Sequence, residues 1–315
     1  MLSRVADSLY WLNRYIERAE NTARIIDANL HFLLDSEIPD AEQWEPLVWI
    51  TGDQEYFFEK YSFATRENVI YFLTFDKEYN NSIISCLRFA RENAKSIREI
   101  INLEMWEQIN KFYIMLNELS EKEITLDFLH DFFEKVKYNC HLFNGISDST
   151  MSRNEGWHFA RLGKMIERAD KTSRIIDIKY FHILPSVKFV GSTYDILQWS
   201  AILKSASGFE MFKKKYKIIK PDKIIEFLIV DNEFPRSIKY CINKANESIH
   251  AISGTTNNSF ANRPEQSLGI LNAELSFADI DNIIEVGFHE FIDSFQKKLL
   301  NIGTDIYSRY FNIEQ

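Results

Sequence analysis

Polar and apolar positions along the first 35 residues repeat with a helical period. With Glu17 at zero on a wheel of about 100° per residue, Leu12, Tyr15, Ala19, Ile26, Leu30 and Leu33 gather on one side. Glu17, Glu20, Asn21, Arg24 and Asp27 form a stripe on the other. The spacing predicts one amphipathic helix over about residues 2–35. The same pattern returns in "KMIERADKTSRIID" from Lys164 and predicts a helix over 155–181 that "HILPS" then stops. Helical spacing also predicts elements at about 102–119, 125–143, 192–206, 220–229 and 279–310. "SGTTNNSFANRP" (253–264) lacks any period and clusters turn residues, so it reads as an exposed loop.

The two charged stripes match residue for residue. Leu12/Leu162, Ile16/Ile166, Glu17/Glu167, Arg18/Arg168, Ala19/Ala169, Thr22/Thr172, Arg24/Arg174, Ile25/Ile175, Ile26/Ile176 and Asp27/Asp177 are identical at an offset of 150. A second block, "FLTFDKEYNNSIISCLRFARE" from Phe72, returns as "FLIVDNEFPRSIKYCINKANE" from Phe227 at an offset of 155. Two blocks in the same order with nearly the same offset point to an internal duplication, with halves at 1–150 and 151–315. The fold expected is an all-α helical bundle of two duplicated halves about a pseudo-twofold axis, packed as one unit. In the second block Asp76 and Asp231 read as helix N-cap or pre-cap residues. Cys86/Cys241 and Ala90/Ala245, four apart, share a packed face.

Composition supports long helices. Gly 10 and Pro 6 in 315 residues fall well below the roughly 22 and 16 of average usage. A net charge of −9 argues against nucleic acid or an anionic membrane as partner. No uncharged apolar run is long enough for a membrane span, and the charged N-terminus lacks the apolar centre of a signal peptide. Three scattered cysteines fit buried thiols in a reducing cytoplasm rather than a disulfide scaffold.

The chain carries no GxGxxG, no GxxxxGK[ST], no HExxH and no paired ExxH, so no cofactor and no metal site is signalled. His289 and Asp293 are spaced to share a ligand, though a structural histidine is the simpler reading. No catalytic residue is assigned: each paired carboxylate lies beside an arginine, which lowers its pKa and weakens it as a proton donor. Candidate binding residues are Glu17, Arg18, Glu20, Arg24, Asp27 and their counterparts Glu167, Arg168, Asp170, Arg174 and Asp177. Arg91, Glu92, Asn93, Arg98, Arg153 and Trp157 stand at further motif-like places. Three readings of the stripe remain: a solvated ion-pair ladder, an interlocked and partly buried network between the two helices, or a site where arginines clamp a carboxylate or phosphate.

"MLSRVADSLYWLNRYIERAENTARIIDA", "NNSIISCLRFARENAKSIREII", "EMWEQIN" and "EGWHFARLGKMIERADKTSRIID" resemble, in order and across essentially the whole chain, the motifs of the bacterial alpha-E domain family, a family of unknown function. Asn13 stands where Gly is usual in that family, and Asn80 where Pro is common. The resemblance implies an all-α cytoplasmic bacterial protein working beside a circularly permuted ATP-grasp protein and a transglutaminase-like peptidase. The function expected is then a non-catalytic accessory or scaffold that binds the ligase or its peptide product. The alternative is an enzyme processing that product at a Glu/Arg-lined cleft between the halves. Substrate and oligomeric state, a homo-oligomer included, are left open.

Overall fold

In the computed structural model, residues 1–34, 41–120, 126–181, 191–256 and 259–312 are described. Among them every regular element is helical, and no helix is long and apolar enough to cross a membrane. Two long helices, α1 (Ser3–Leu34) and α8 (Glu155–Phe181), form the centre. Their bounds match the expected 2–35 and 155–181 closely; "HILPS" lies outside the described residues.

Contacts advance in the same sense along the two helices: Leu9 lies at Gly156, Tyr10 at Gly163 and Glu17 at Arg168. The pair is therefore parallel. At Gly163 the backbones touch, and a Cβ there would lie 2.3 Å from the Tyr10 carbonyl oxygen. Only glycine permits that approach. The matching residue of α1 is Asn13, buried, whose side-chain amide donates to the Leu9 carbonyl at 2.9 Å within its own helix. Asn13 thus keeps α1 intact where a glycine would loosen it.

Four short helices follow α1: α2 (Ala41–Trp49), α3 (Gln54–Lys60), α4 (Arg66–Thr74) and then α5 (Ile83–Ser96), which packs along α1. The long pair α6 (Leu103–Ser120) and α7 (Leu126–Thr150) completes this side. After α8 come α9 (Thr193–Ser205), α10 (Phe209–Tyr216), α11 (Pro221–Ile229) and α12 (Ile238–Ser253), the last packing along α8. Helices α13 (Arg263–Ser276), α14 (Ile280–Val286) and α15 (Phe288–Ile306) end the chain, with a π turn at Tyr307–Phe311. The single helix expected over 279–310 is broken at Gly287, whose φ of 138° is inaccessible to other residues without strain.

The caps differ from expectation. Ser82 and Ser237, not Asp76 and Asp231, are the N-caps of α5 and α12, accepting from the amides of Ser85 and Tyr240. Each aspartate builds the preceding turn instead. Asp76 Oδ1 accepts from the amides of Glu78 and Tyr79, and Asp231 Oδ1 from those of Glu233 and Phe234. A lysine anchors each one, Lys60 on Asp76 at 2.9 Å and Lys215 on Asp231 at 2.6 Å. Aromatic clusters sit beside these turns in matching form. Phe72 stacks on Tyr79 at 3.9 Å and Phe227 on Phe234 at 4.4 Å, with Phe57 and Phe212 at their edges. Cys86, Ala90, Cys241 and Ala245 are fully buried on the faces toward α1 and α8, as their spacing predicts.

Candidate functional site

The charged stripes of α1 and α8 face each other. Arg168 Nε and Nη2 clamp Glu17 at 2.8 and 2.8 Å. Reciprocally, Arg18 Nε and Nη2 clamp Glu167 at 2.6 and 3.1 Å. Two parallel helices carrying Glu-Arg at the contact level place each acid beside the other helix's arginine. The planar guanidinium then matches the carboxylate with two hydrogen bonds. Both glutamates are fully buried, which excludes a solvated ladder. Burial alone would raise the Glu17 carboxyl, but Arg168 and Arg236 hold it well below the usual carboxylate range. Glu167 is held down in the same way, against burial, by Arg18 and Arg14.

The two ends of this network differ. Around Glu17 it is closed. Arg236, from the turn before α12, donates to Glu17 at 3.1 Å, to Asn21 at 2.9 Å and to Glu20. Arg24 donates to Glu20 at 3.0 and 2.9 Å. Around Glu167 the position matching Arg236 is Asn81, whose shorter side chain accepts from Arg18 Nη1 and donates to Asp53 at 3.2 Å. On this side a cleft of about 620 Å³ opens between α1, α8 and α15.

One wall of the cleft is cationic: Arg14, Arg18, Lys171 and Arg174 line it. Arg14 Nε donates to Glu167 at 2.7 Å and Arg174 Nη1 to the Ile50 carbonyl at 2.7 Å. Lys171 Nζ lies 3.2 Å from Asp170 and 3.7 Å from Glu167. Among the described residues, Arg14 Nη2 and Arg174 Nη2 meet no protein acceptor, so both have donors to spare for a guest. Trp11 lies against Arg14, its ring centroid 4.6 Å from the guanidinium, and α15 brings Leu299, Leu300 and Tyr307 together with Asp293, Gln296 and Lys297. Tyr79 closes one end, its hydroxyl donating to Asp53 at 2.6 Å. Asp170, pushed up by burial but held at about 2 by Arg174 and Lys171, stays ionised. The arrangement suits a guest with an anionic head and an apolar or amide-containing body. With Asp170 in the cleft and Glu167 behind it both held ionised, the two are poor proton donors.

Of the residues singled out from the sequence, Arg18, Asp170 and Arg174 line the cleft and Glu167 lies directly behind it. Glu17, Glu20, Arg24 and Arg168 belong to the closed network. Asp27 pairs with Lys137 and His130 on α7, and Asp177 with His289 at 2.7 Å. His289 therefore serves Asp177, not a ligand shared with Asp293. Arg91 and Arg98 stack over Trp106, Arg91 donating to Asn110 and Glu92, while Asn93 donates to the Phe89 carbonyl. Arg153 lies over the Trp157 ring at 4.3 Å and donates to Asp148. None of this second group lines the cleft. Sequence reasoning missed Arg14, Lys171, Asn81 and Arg236. Their counterparts are Lys164, Asn21, Arg236 and Asn81. A search for identities between the blocks passes over positions where the blocks differ, and Arg14, Lys171 and Asn81 stand at such positions.

Fold and site together define an all-helical protein whose two central helices are joined by crossed, buried Glu–Arg pairs. The chain belongs to the Alpha-E family, a predicted alpha-helical domain with a conserved ER motif, whose model matches residues 1–311. Glu-Arg stands at 17–18 and 167–168, the residues of the crossed pairs. Similar proteins include uncharacterized proteins of Mycobacterium bovis and Mycobacterium tuberculosis, each 19% identical over 305 residues, or 90% of this chain. The chain spans about a third of their length, 33%. No solved structure matches.

Proposed function

We propose that this chain is a binding module that holds a carboxylate-bearing peptide or amide compound in the α1–α8 cleft, acting beside an ATP-grasp ligase. The observation that carries the reading is the cluster of Arg14, Arg18, Lys171 and Arg174 in a cleft of about 620 Å³ that Trp11, Leu299, Leu300 and Tyr307 also line. An ATP-grasp ligase makes amide bonds from carboxylates, so its product fits a site with this polarity. A transglutaminase-like peptidase would act on the same class of amide. The alternative, catalysis by the chain itself, would have to use Glu167 or Asp170 as base or nucleophile rather than as proton donor, since arginines hold both ionised.

The same proposal takes the chain as an internal duplication of residues 1–150 and 151–315, in one of whose halves the network has opened into a cleft. The matched lysine–aspartate anchors, serine caps and stacked aromatic pairs support it.

Co-expression with an ATP-grasp ligase tests the function. The two proteins are expected to co-purify, and native mass spectrometry of this chain should show a bound ligase product. Lys171→Met removes a cleft cation 3.2 Å from Asp170 and 3.7 Å from Glu167. It should weaken binding about tenfold to a hundredfold and lower the melting temperature, and circular dichroism checks that the variant is folded at the assay temperature. Absence of both co-purification and product capture would refute the proposal, and product turnover by this chain alone would favour the alternative.

A further inference from the structure

At the far end of α1 from Gly163, three side chains converge on one point. Asp27 and His31 are four apart on α1, and His130 comes from α7. His130 Nδ1 lies 3.2 Å and His31 Nε2 3.7 Å from the same oxygen, Asp27 Oδ1. All three ligand atoms lie within 4.8 Å of one another. We infer that Asp27, His31 and His130 form a binding site for a divalent transition-metal ion of the zinc class.

Three arguments support the assignment. The first is spacing. Zinc bonded tetrahedrally to N and O atoms at about 2.0–2.1 Å sets neighbouring ligand atoms about 3.3 Å apart. The two edges at Asp27 Oδ1 are close to that value without rearrangement. The second is charge. Asp27 Oδ2 already accepts from Lys137 Nζ at 2.7 Å, so its charge is met without any histidine. Oδ1 is left facing two imidazole nitrogens, and imidazole binds a metal in its neutral form. Lys137 then plays the part of an outer hydrogen-bond partner that orients a ligating carboxylate.

The third argument is an internal comparison. Asp177, which corresponds to Asp27, pairs with one histidine, His289, and the position corresponding to His31 is Phe181. That site pairs one imidazole with its carboxylate, while the Asp27 site brings two imidazoles to one. Two imidazoles and one carboxylate with open positions suit zinc or another first-row ion. Asp27 is buried, and the two histidines are about half-exposed, with side chains 47% and 46% accessible. Solvent therefore reaches the remaining coordination positions, and the ion has a way in. None of the three residues lines the cleft, and the site does not depend on the function proposed for it.

The test uses the full chain, stripped of metal with a chelator and then titrated with Co²⁺ followed by Zn²⁺. Expected are one saturable equivalent of Co²⁺ with the visible absorption of a low-coordinate nitrogen–oxygen site, and its displacement by Zn²⁺. His31→Ala and His130→Ala should each lower affinity at least tenfold, and the double variant should lose the spectrum. His289→Ala should bind as the parent does. Both histidines are surface residues, and circular dichroism checks that the variants fold. Absence of saturable uptake at micromolar metal, or uptake that survives in the folded double variant, would overturn the assignment.

Discussion

Replacing Glu17 by glutamine is the sharpest probe of the network between α1 and α8. The glutamate is fully buried and accepts from Arg168 at 2.8 and 2.8 Å and from Arg236 at 3.1 Å. Glutamine has the same shape but no charge, and it offers one acceptor oxygen where there were two. Arg168 then loses its counter-ion inside the protein, while Arg236 keeps Glu20. Breaking one side of a buried ion pair costs about 3–5 kcal/mol. The retained oxygen and the Glu20 contact place this case near 3 kcal/mol. With an unfolding entropy of about 2.1 cal/mol/K per residue, 315 residues convert that range to a fall in Tm of about 5–8 °C.

The pH dependence gives an independent check. The folded-state pKa of Glu17 is depressed, so its contribution is fully present above the unfolded value of about 4.3 and is lost as pH falls below it. The stability gap between parent and Glu17→Gln should be constant from pH 8 to about pH 5 and shrink at lower pH. A double-mutant cycle with Arg168→Met should show coupling of about 0.5–3 kcal/mol. Scanning calorimetry and urea unfolding read all three quantities. A Glu17→Gln variant within about 0.5 kcal/mol of the parent, the level of a surface change, would refute the buried-network account.

Two further outcomes follow from the same structure. Gly163→Ala should destabilise by at least the 1–3 kcal/mol of an overpacked core, because its Cβ would meet the Tyr10 carbonyl oxygen at 2.3 Å. Gly145→Ala, on a helix with nothing within 4 Å of the added methyl, should be neutral or stabilising by up to about 1 kcal/mol; equal urea midpoints for the two variants would contradict the close α1–α8 packing. Burial pushes the Cys86 and Cys241 thiols up to about 12 and raises Cys140 well above its ordinary value. A disulfide reagent at pH 8 should therefore modify none of the three in the native protein and all three in urea, and rapid native labelling would contradict their burial.

The helical period, the scarcity of glycine and proline, and the identical Glu-Arg blocks were enough to read the class of fold and the bounds of α1 and α8 within a residue or two. Those are local properties: side-chain spacing of 3.6 and the absence of breakers act within one helix. The break at Gly287 and the serine caps were less legible. A cap depends on which turn precedes it, and Asp76 competes for that role in sequence while serving the turn in space.

What the sequence determined by itself is that two amphipathic helices carry matching charged stripes. It did not determine whether those stripes face water or each other, because a helical wheel has no partner in it. Tertiary packing decided that question by closing α1 on α8 at Gly163, which buried both glutamates and left each one the other helix's arginine. Packing also decided where the cleft lies. Arg236 fills one end of the network and Asn81 leaves the other open, a difference of a few ångströms in side-chain length whose consequence exists only once both turns are brought to the same pair of helices.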